Sequence, residues 1–78
     1  MTVFDKVREI LAEQLELADV NALTEETDIA KDLGADSLDV VEMIMSIENE
    51  YGIVITDESI SDLKTVGDVT KFVEKLVG

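Results

Sequence analysis

Apolar residues Val3, Phe4, Val7, Ile10, Leu11 and Leu15 recur at the three- and four-residue spacing of one helix face, and Thr2 with Asp5 forms a capping pattern ahead of them. This predicts an amphipathic helix running to about Glu16. From Leu17 to Asp36 the periodicity fades while Asp, Asn, Thr and Gly accumulate, predicting a long connection with a helical turn near Thr24–Thr27. The stretch SLDVVEMIMSIENEYG restores the helical pattern from Asp36 or Ser37, with Val40, Ile44, Ile47 and Tyr51 on one face and Asp39, Glu42, Ser46 and Asn49 opposite. Gly52 supplies a stop. Ile53, Val54 and Ile55 would suit a strand, but no second run offers a pairing partner, so an extended connector is expected. A short helix near Asp57 to Leu63 follows. Thr65 and Asp68 then cap a last helix with an apolar stripe of Val66, Val69, Phe72, Val73 and Leu76, and Lys71 and Lys75 toward its C-terminal end.

The expected fold is therefore all-α: a small four-helix bundle of three longer helices and one short one, with a long loop between helices 1 and 2. With no proline, repeat or low-complexity tract to mark a boundary, residues 1–78 read as a single domain. An apolar fraction of 46% is enough for a core, though a thin one at this length.

Charge narrows the partners. The formal net charge of −13 would be repelled by nucleic acid and by anionic membrane, so neither nucleic-acid binding nor membrane insertion is expected, and basic protein surfaces are the natural complement. No apolar run reaches membrane-spanning length, and the mixed charges of MTVFDKVREI do not resemble a secretory signal, so a cytoplasmic location is expected.

The missing residue types narrow the chemistry. Without histidine or cysteine, neither a Ser-His-Asp nor a Cys-His constellation can be assembled, and no enzymatic activity is expected. The segment Asp28 to Asp39 has the length of a calcium-binding EF-hand loop, but Ala30 stands at its third position, Leu33 where the turn needs glycine, and Asp39 where a bidentate glutamate closes the loop. No dedicated metal site is expected.

What remains is Gly34-Ala35-Asp36-Ser37-Leu38, a loop that delivers a serine to the first turn of a helix. Free N–H groups and the positive end of the helix dipole would favour a phosphate on the Ser37 hydroxyl. Physics alone favours the simpler reading, in which Asp36 or Ser37 is an ordinary helix cap.

The segment LGADSLDVVEMIMSIENEYGI resembles the attachment-site segment of acyl carrier proteins of fatty acid synthesis, and the similarity covers essentially the whole chain. The resemblance implies that Ser37 receives the 4'-phosphopantetheine moiety of coenzyme A from a phosphopantetheinyl transferase (a holo-carrier synthase). The terminal thiol of that group would carry growing acyl chains as thioesters to the enzymes of fatty acid synthesis. It also implies a recognition surface on the second helix. Between Asp32 and Leu63 there is no lysine or arginine, and Asp36, Asp39, Glu42 and Glu48 surround Leu38, Val41 and Met45, which sit where the apolar and acidic faces meet. These seven residues are the candidate partner surface, although Leu38, Val41 and Met45 also suit a core. An attached acyl chain would lie between the helices, with Ile44, Ile55, Ile60 and Phe72 as candidate lining. A monomer suits a shuttle. The chain departs from the family at Thr56, where a proline commonly precedes the acidic pair. Alternatives that remain open are carriers of polyketide, peptidyl or aminoacyl pathways, and an unmodified acidic interaction domain.

Overall fold

The computed structural model describes residues 2–55 and 63–77. Three α-helices are seen there: α1 (Val3–Gln14), α2 (Ser37–Tyr51) and α3 (Val66–Val77), with a short 3-10 helix at Val20–Ala22 between the first two. The architecture is all-helical, with no strand among the described residues beyond an isolated bridge between Asp28 and Thr65. The short helix expected near Asp57–Leu63 lies largely outside the described residues.

Each helix start follows from local sequence. Asp5 N–H donates to Thr2 Oγ1 (3.1 Å) while Thr2 N–H donates to Asp5 Oδ2 (3.4 Å), which satisfies donors that the first helical turn leaves open. The same reciprocal arrangement joins Asp36 to Asp39 at α2 and Thr65 to Asp68 at α3. Asp68 is held below the usual carboxylate range by the Thr65 and Lys64 N–H groups, and Asp5 by its bond from Arg8 together with its Thr2 contacts.

Helix α1 ends at Gln14, two residues earlier than the pattern suggests. Glu16 adopts a left-handed φ of 55°, and Leu17 N–H reaches back to the Ala12 carbonyl at 2.8 Å. This is the geometry glycine usually supplies at a helix end, here imposed on a glutamate. The break turns Leu15 and Leu17 back toward the core, against which both pack.

α1 packs against both α2 and α3. Val7 and Leu11 of α1, Met43, Ile44 and Ile47 of α2, and Val66, Val69 and Val73 of α3 form the buried core, joined by Leu23, Ile29 and Ala35 from the long connection and by Ile55. Val40 and Tyr51, expected on the buried face of α2, are half-buried beside it, and fully buried Met43 widens that face. Buried Thr70 donates its hydroxyl to the Val66 carbonyl at 2.8 Å, so it leaves no unmet polar group.

The long connection is ordered by hydrogen bonds rather than by extended helix. Thr24–Thr27 forms a single hydrogen-bonded turn, with Thr27 N–H on the Thr24 carbonyl at 3.1 Å. The connection then docks on the start of α3: Ile29 N–H donates to the Lys64 carbonyl, Val66 N–H to that of Thr27 and Gly67 N–H to that of Glu25, at 2.9, 3.0 and 2.9 Å. A side chain at residue 67 would not allow this approach, because a Cβ there would lie 2.8 Å from the Glu25 carbonyl oxygen.

Candidate functional site

Ser37 is delivered by a turn that begins at Asp28. Asp28 and Asp32 tie the turn to itself, with Asp28 N–H on Asp32 Oδ2 and Lys31 N–H on Asp28 Oδ1, each at 2.8 Å. Gly34 closes it with φ 70°, a conformation other residues enter only with strain, and its N–H reaches the Ala30 carbonyl at 3.0 Å. Ala35 is buried and anchors the chain just before the site. Asp36, exposed, is the N-cap, and exposed Ser37 is the first residue of α2.

The Asp39 N–H is taken by Asp36 Oδ1 at 2.9 Å and the Asp36 N–H by Asp39 Oδ2 at 3.1 Å. The N–H groups of Ser37 and Leu38 find no acceptor among the described residues. Two carboxylates thus already meet the positive end of α2, and its attraction for a phosphate on Ser37 is partly offset by them. The site offers an exposed, rigidly placed hydroxyl beside a local excess of negative charge. Among the described residues no cluster of candidate metal ligands is present.

The candidate partner residues divide by environment. Leu38, Val41 and Met45 point outward, 63%, 49% and 56% exposed, so they belong to the surface. Glu42 is exposed beside them, whereas Asp39 and Glu48 are half-buried. Asp39 has a structural bond besides its cap: its carbonyl accepts from Gln14 Nε2, which ties the first turn of α2 to the end of α1. Glu48 is committed more heavily. Its carboxylate Oε2 accepts the Ile55 N–H at 2.7 Å, and its carbonyl accepts the Ile53 N–H at 3.1 Å. Neither role is visible in sequence, because each joins residues that local spacing does not relate. Val54, 77% exposed on the connector held by Glu48, is an outward apolar residue that helical periodicity had no means to find.

Of the candidate acyl-lining residues, Ile44 and Ile55 are buried in the core cluster and Phe72 packs against it half-buried, while Ile60 lies outside the described residues. A shallow groove between α1 and α2 is lined by Ile10, Glu13, Gln14, Glu42 and Ser46. Nearby, Lys6 Nζ on α1 pairs with Glu50 Oε1 on α2 at 2.8 Å, and this contact raises the Lys6 pKa. No described helix is long and apolar enough to cross a membrane.

Comparison with known proteins places this geometry. Residues 5–73 match the family model described as a phosphopantetheine attachment site. The acyl carrier protein of Helicobacter pylori (strain G27) is 46% identical over 74 residues, covering 95% of this chain and 94% of that protein. The solved acyl carrier protein from Enterococcus faecalis, described for its high thermal stability, superposes with a TM-score of 0.77 at 31% identity, over 96% of this chain and 98% of its own. An acidic helical module with a serine opening a capped helix, matched over nearly its whole length by such a model, is a carrier domain of the phosphopantetheine-bearing class. Within that class the chain belongs to the acyl carrier protein family, whose prosthetic group is 4'-phosphopantetheine.

Proposed function

We propose that Ser37 is the attachment residue and that the chain is a non-catalytic shuttle, a single domain over residues 1–78, serving fatty acid synthesis in the cytoplasm as a monomer. The observation that carries this is the placement of Ser37: exposed, first in α2, and fixed by the Asp36–Asp39 capping box behind a loop docked on α3. The residues around it fit the group. An exposed hydroxyl gives a transferase access, and the phosphopantetheine thiol supplies the sulfur chemistry that a chain without cysteine lacks.

The chain's own residues hold and present. The capping box and the Gln14 bond to Asp39 fix the first turn of α2, so the attachment point has one orientation. Leu38, Val41 and Met45, with Asp36, Asp39, Glu42 and Glu48 about them, form the surface that meets the transferase and the basic faces of fatty acid synthesis enzymes. One-signed charge speeds such encounters, which suits brief successive contacts better than tight binding. Ile44, Ile55 and Phe72 line the interior that shelters the acyl chain.

The test is peptide mapping of the protein after incubation with coenzyme A, magnesium and a phosphopantetheinyl transferase. All four serines lie in one tryptic peptide, Asp32–Lys64, so the map needs Ser37→Ala beside the parent. The adduct is expected on that peptide in the parent and nowhere in the variant. An adduct retained in Ser37→Ala would move the attachment elsewhere and defeat the proposal.

A further inference from the structure

The bond between Glu48 and the connector gives the partner surface a mechanical consequence. Glu48 stands one turn beyond Met45 on α2, at the end of the outward stripe of Leu38, Val41 and Met45, yet its carboxylate Oε2 accepts the Ile55 N–H at 2.7 Å. That bond and the one from Ile53 N–H to the Glu48 carbonyl fold the connector back along α2. Ile55 is thereby pressed into the core, 9% exposed, while its neighbour Val54 is left 77% exposed. A single half-buried carboxylate at the end of the outward stripe thus holds a residue of the core.

We propose that Glu48 is a latch that an arginine-bearing partner opens: a guanidinium engaging Glu48 displaces the Ile55 N–H and loosens the connector from the core. The inference rests on the reading of the outward α2 face as the partner surface. A guanidinium recognises a carboxylate through two parallel N–H···O bonds and so engages both oxygens, competing with the Ile55 N–H for Oε2. A lysine ammonium is a point charge that can sit on Oε1 and leave Oε2 in place. Competition for the latch therefore discriminates between the two cations. The absence of lysine and arginine between Asp32 and Leu63 means that no nearby cation in sequence already claims the carboxylate. Val54, exposed on the connector, moves with it when the latch opens. Docking at the stripe is in this way coupled to access to the interior beside Ile55.

The experiment is amide hydrogen exchange of the isotopically labelled full chain by NMR, alone and with tetra-arginine or tetralysine peptide. Both peptides are expected to shift amides of residues 38–48. Only tetra-arginine is expected to accelerate Ile55 exchange by about tenfold or more, the scale of losing a charge-assisted hydrogen bond. The Leu11 and Val69 amides in α1 and α3 serve as unmoved references. Glu48→Ala is expected to show fast Ile55 exchange without peptide and no further response to it. Glu48→Gln, which keeps the side-chain volume and one acceptor, is expected to fall between. Shifts along α2 with no acceleration at Ile55 overturn the latch and leave the partner surface standing. No shift with either peptide overturns the surface reading and the latch with it. Unchanged Ile55 exchange in Glu48→Ala overturns the latch whatever the peptides do.

Discussion

The docking of the long connection onto α3 can be tested at one atom. In an open helix Gly67→Ala would stabilise by about 1 kcal/mol, because alanine restricts the unfolded chain and favours helix. Here the added Cβ would lie 2.8 Å from the Glu25 carbonyl oxygen, 3.1 Å from Glu25 Cβ and 3.4 Å from the Glu25 carbonyl carbon. The nearest obstacle is backbone, so the strand of chain at Glu25–Thr27 must move away. Overpacking of this kind costs about 1–3 kcal/mol. The displaced carbonyl also weakens its bond from Gly67 N–H, worth about 0.5–1.5 kcal/mol. Set against the helix gain, the net loss is about 2 kcal/mol. For a domain of this size that lowers the melting temperature by about 8–16 °C. Thermal unfolding followed by circular dichroism reads the shift directly. An unchanged or raised melting temperature would refute the reasoning, since it would mean that the connection does not lie against α3 as described.

Other expectations follow from the same geometry. Glu16→Gly relieves a left-handed residue at the end of α1 and, after its greater unfolded-state freedom is allowed for, raises stability by about 0.5–1 kcal/mol, seen as a higher melting temperature; a fall would argue against the positive φ. Raising sodium chloride from about 0.01 to about 0.15 M shortens the screening length from about 30 to about 8 Å, so a chain at −13 is stabilised, and a melting temperature that drops over this range contradicts the repulsion argument. Asp68 has its folded pKa below the ordinary aspartate value of 3.8, so its cap contributes in full above that value and is lost as pH falls through the folded pKa. Asp68→Ala should therefore melt below the parent at neutral pH, with the gap closing only under about pH 3.8 as the parent loses the same contribution; a gap constant to pH 2 would contradict the assignment.

The sequence showed most clearly what short-range chemistry decides. Thr2 with Asp5, Asp36 with Asp39, and Thr65 with Asp68 are three residues apart, and the caps at α1 and α3 were readable from that spacing, while the helical pattern put the start of α2 at Asp36 or Ser37. Met43 was harder. Val40 through Met45 contains a single polar residue, so the buried edge of α2 is drawn only by the core residues that pack against it. The end of α1 was misjudged because Glu16 adopts a backbone conformation its residue type rarely takes. At the site, Ser37 and its acidic setting were legible, whereas the hold of Gln14 on Asp39 and of Glu48 on Ile55 joins residues 25 and 7 positions apart and belongs to tertiary structure.

The central claim is that this exposed serine carries the prosthetic group, and intact-protein mass spectrometry after incubation with coenzyme A, magnesium and a broad-specificity phosphopantetheinyl transferase tests it most directly. The account predicts one phosphopantetheine added to the parent and none to a Ser37→Ala variant whose circular dichroism matches the parent. A folded parent that stays unmodified by a transferase active on another carrier in the same buffer, or a variant that still gains the group, would contradict it.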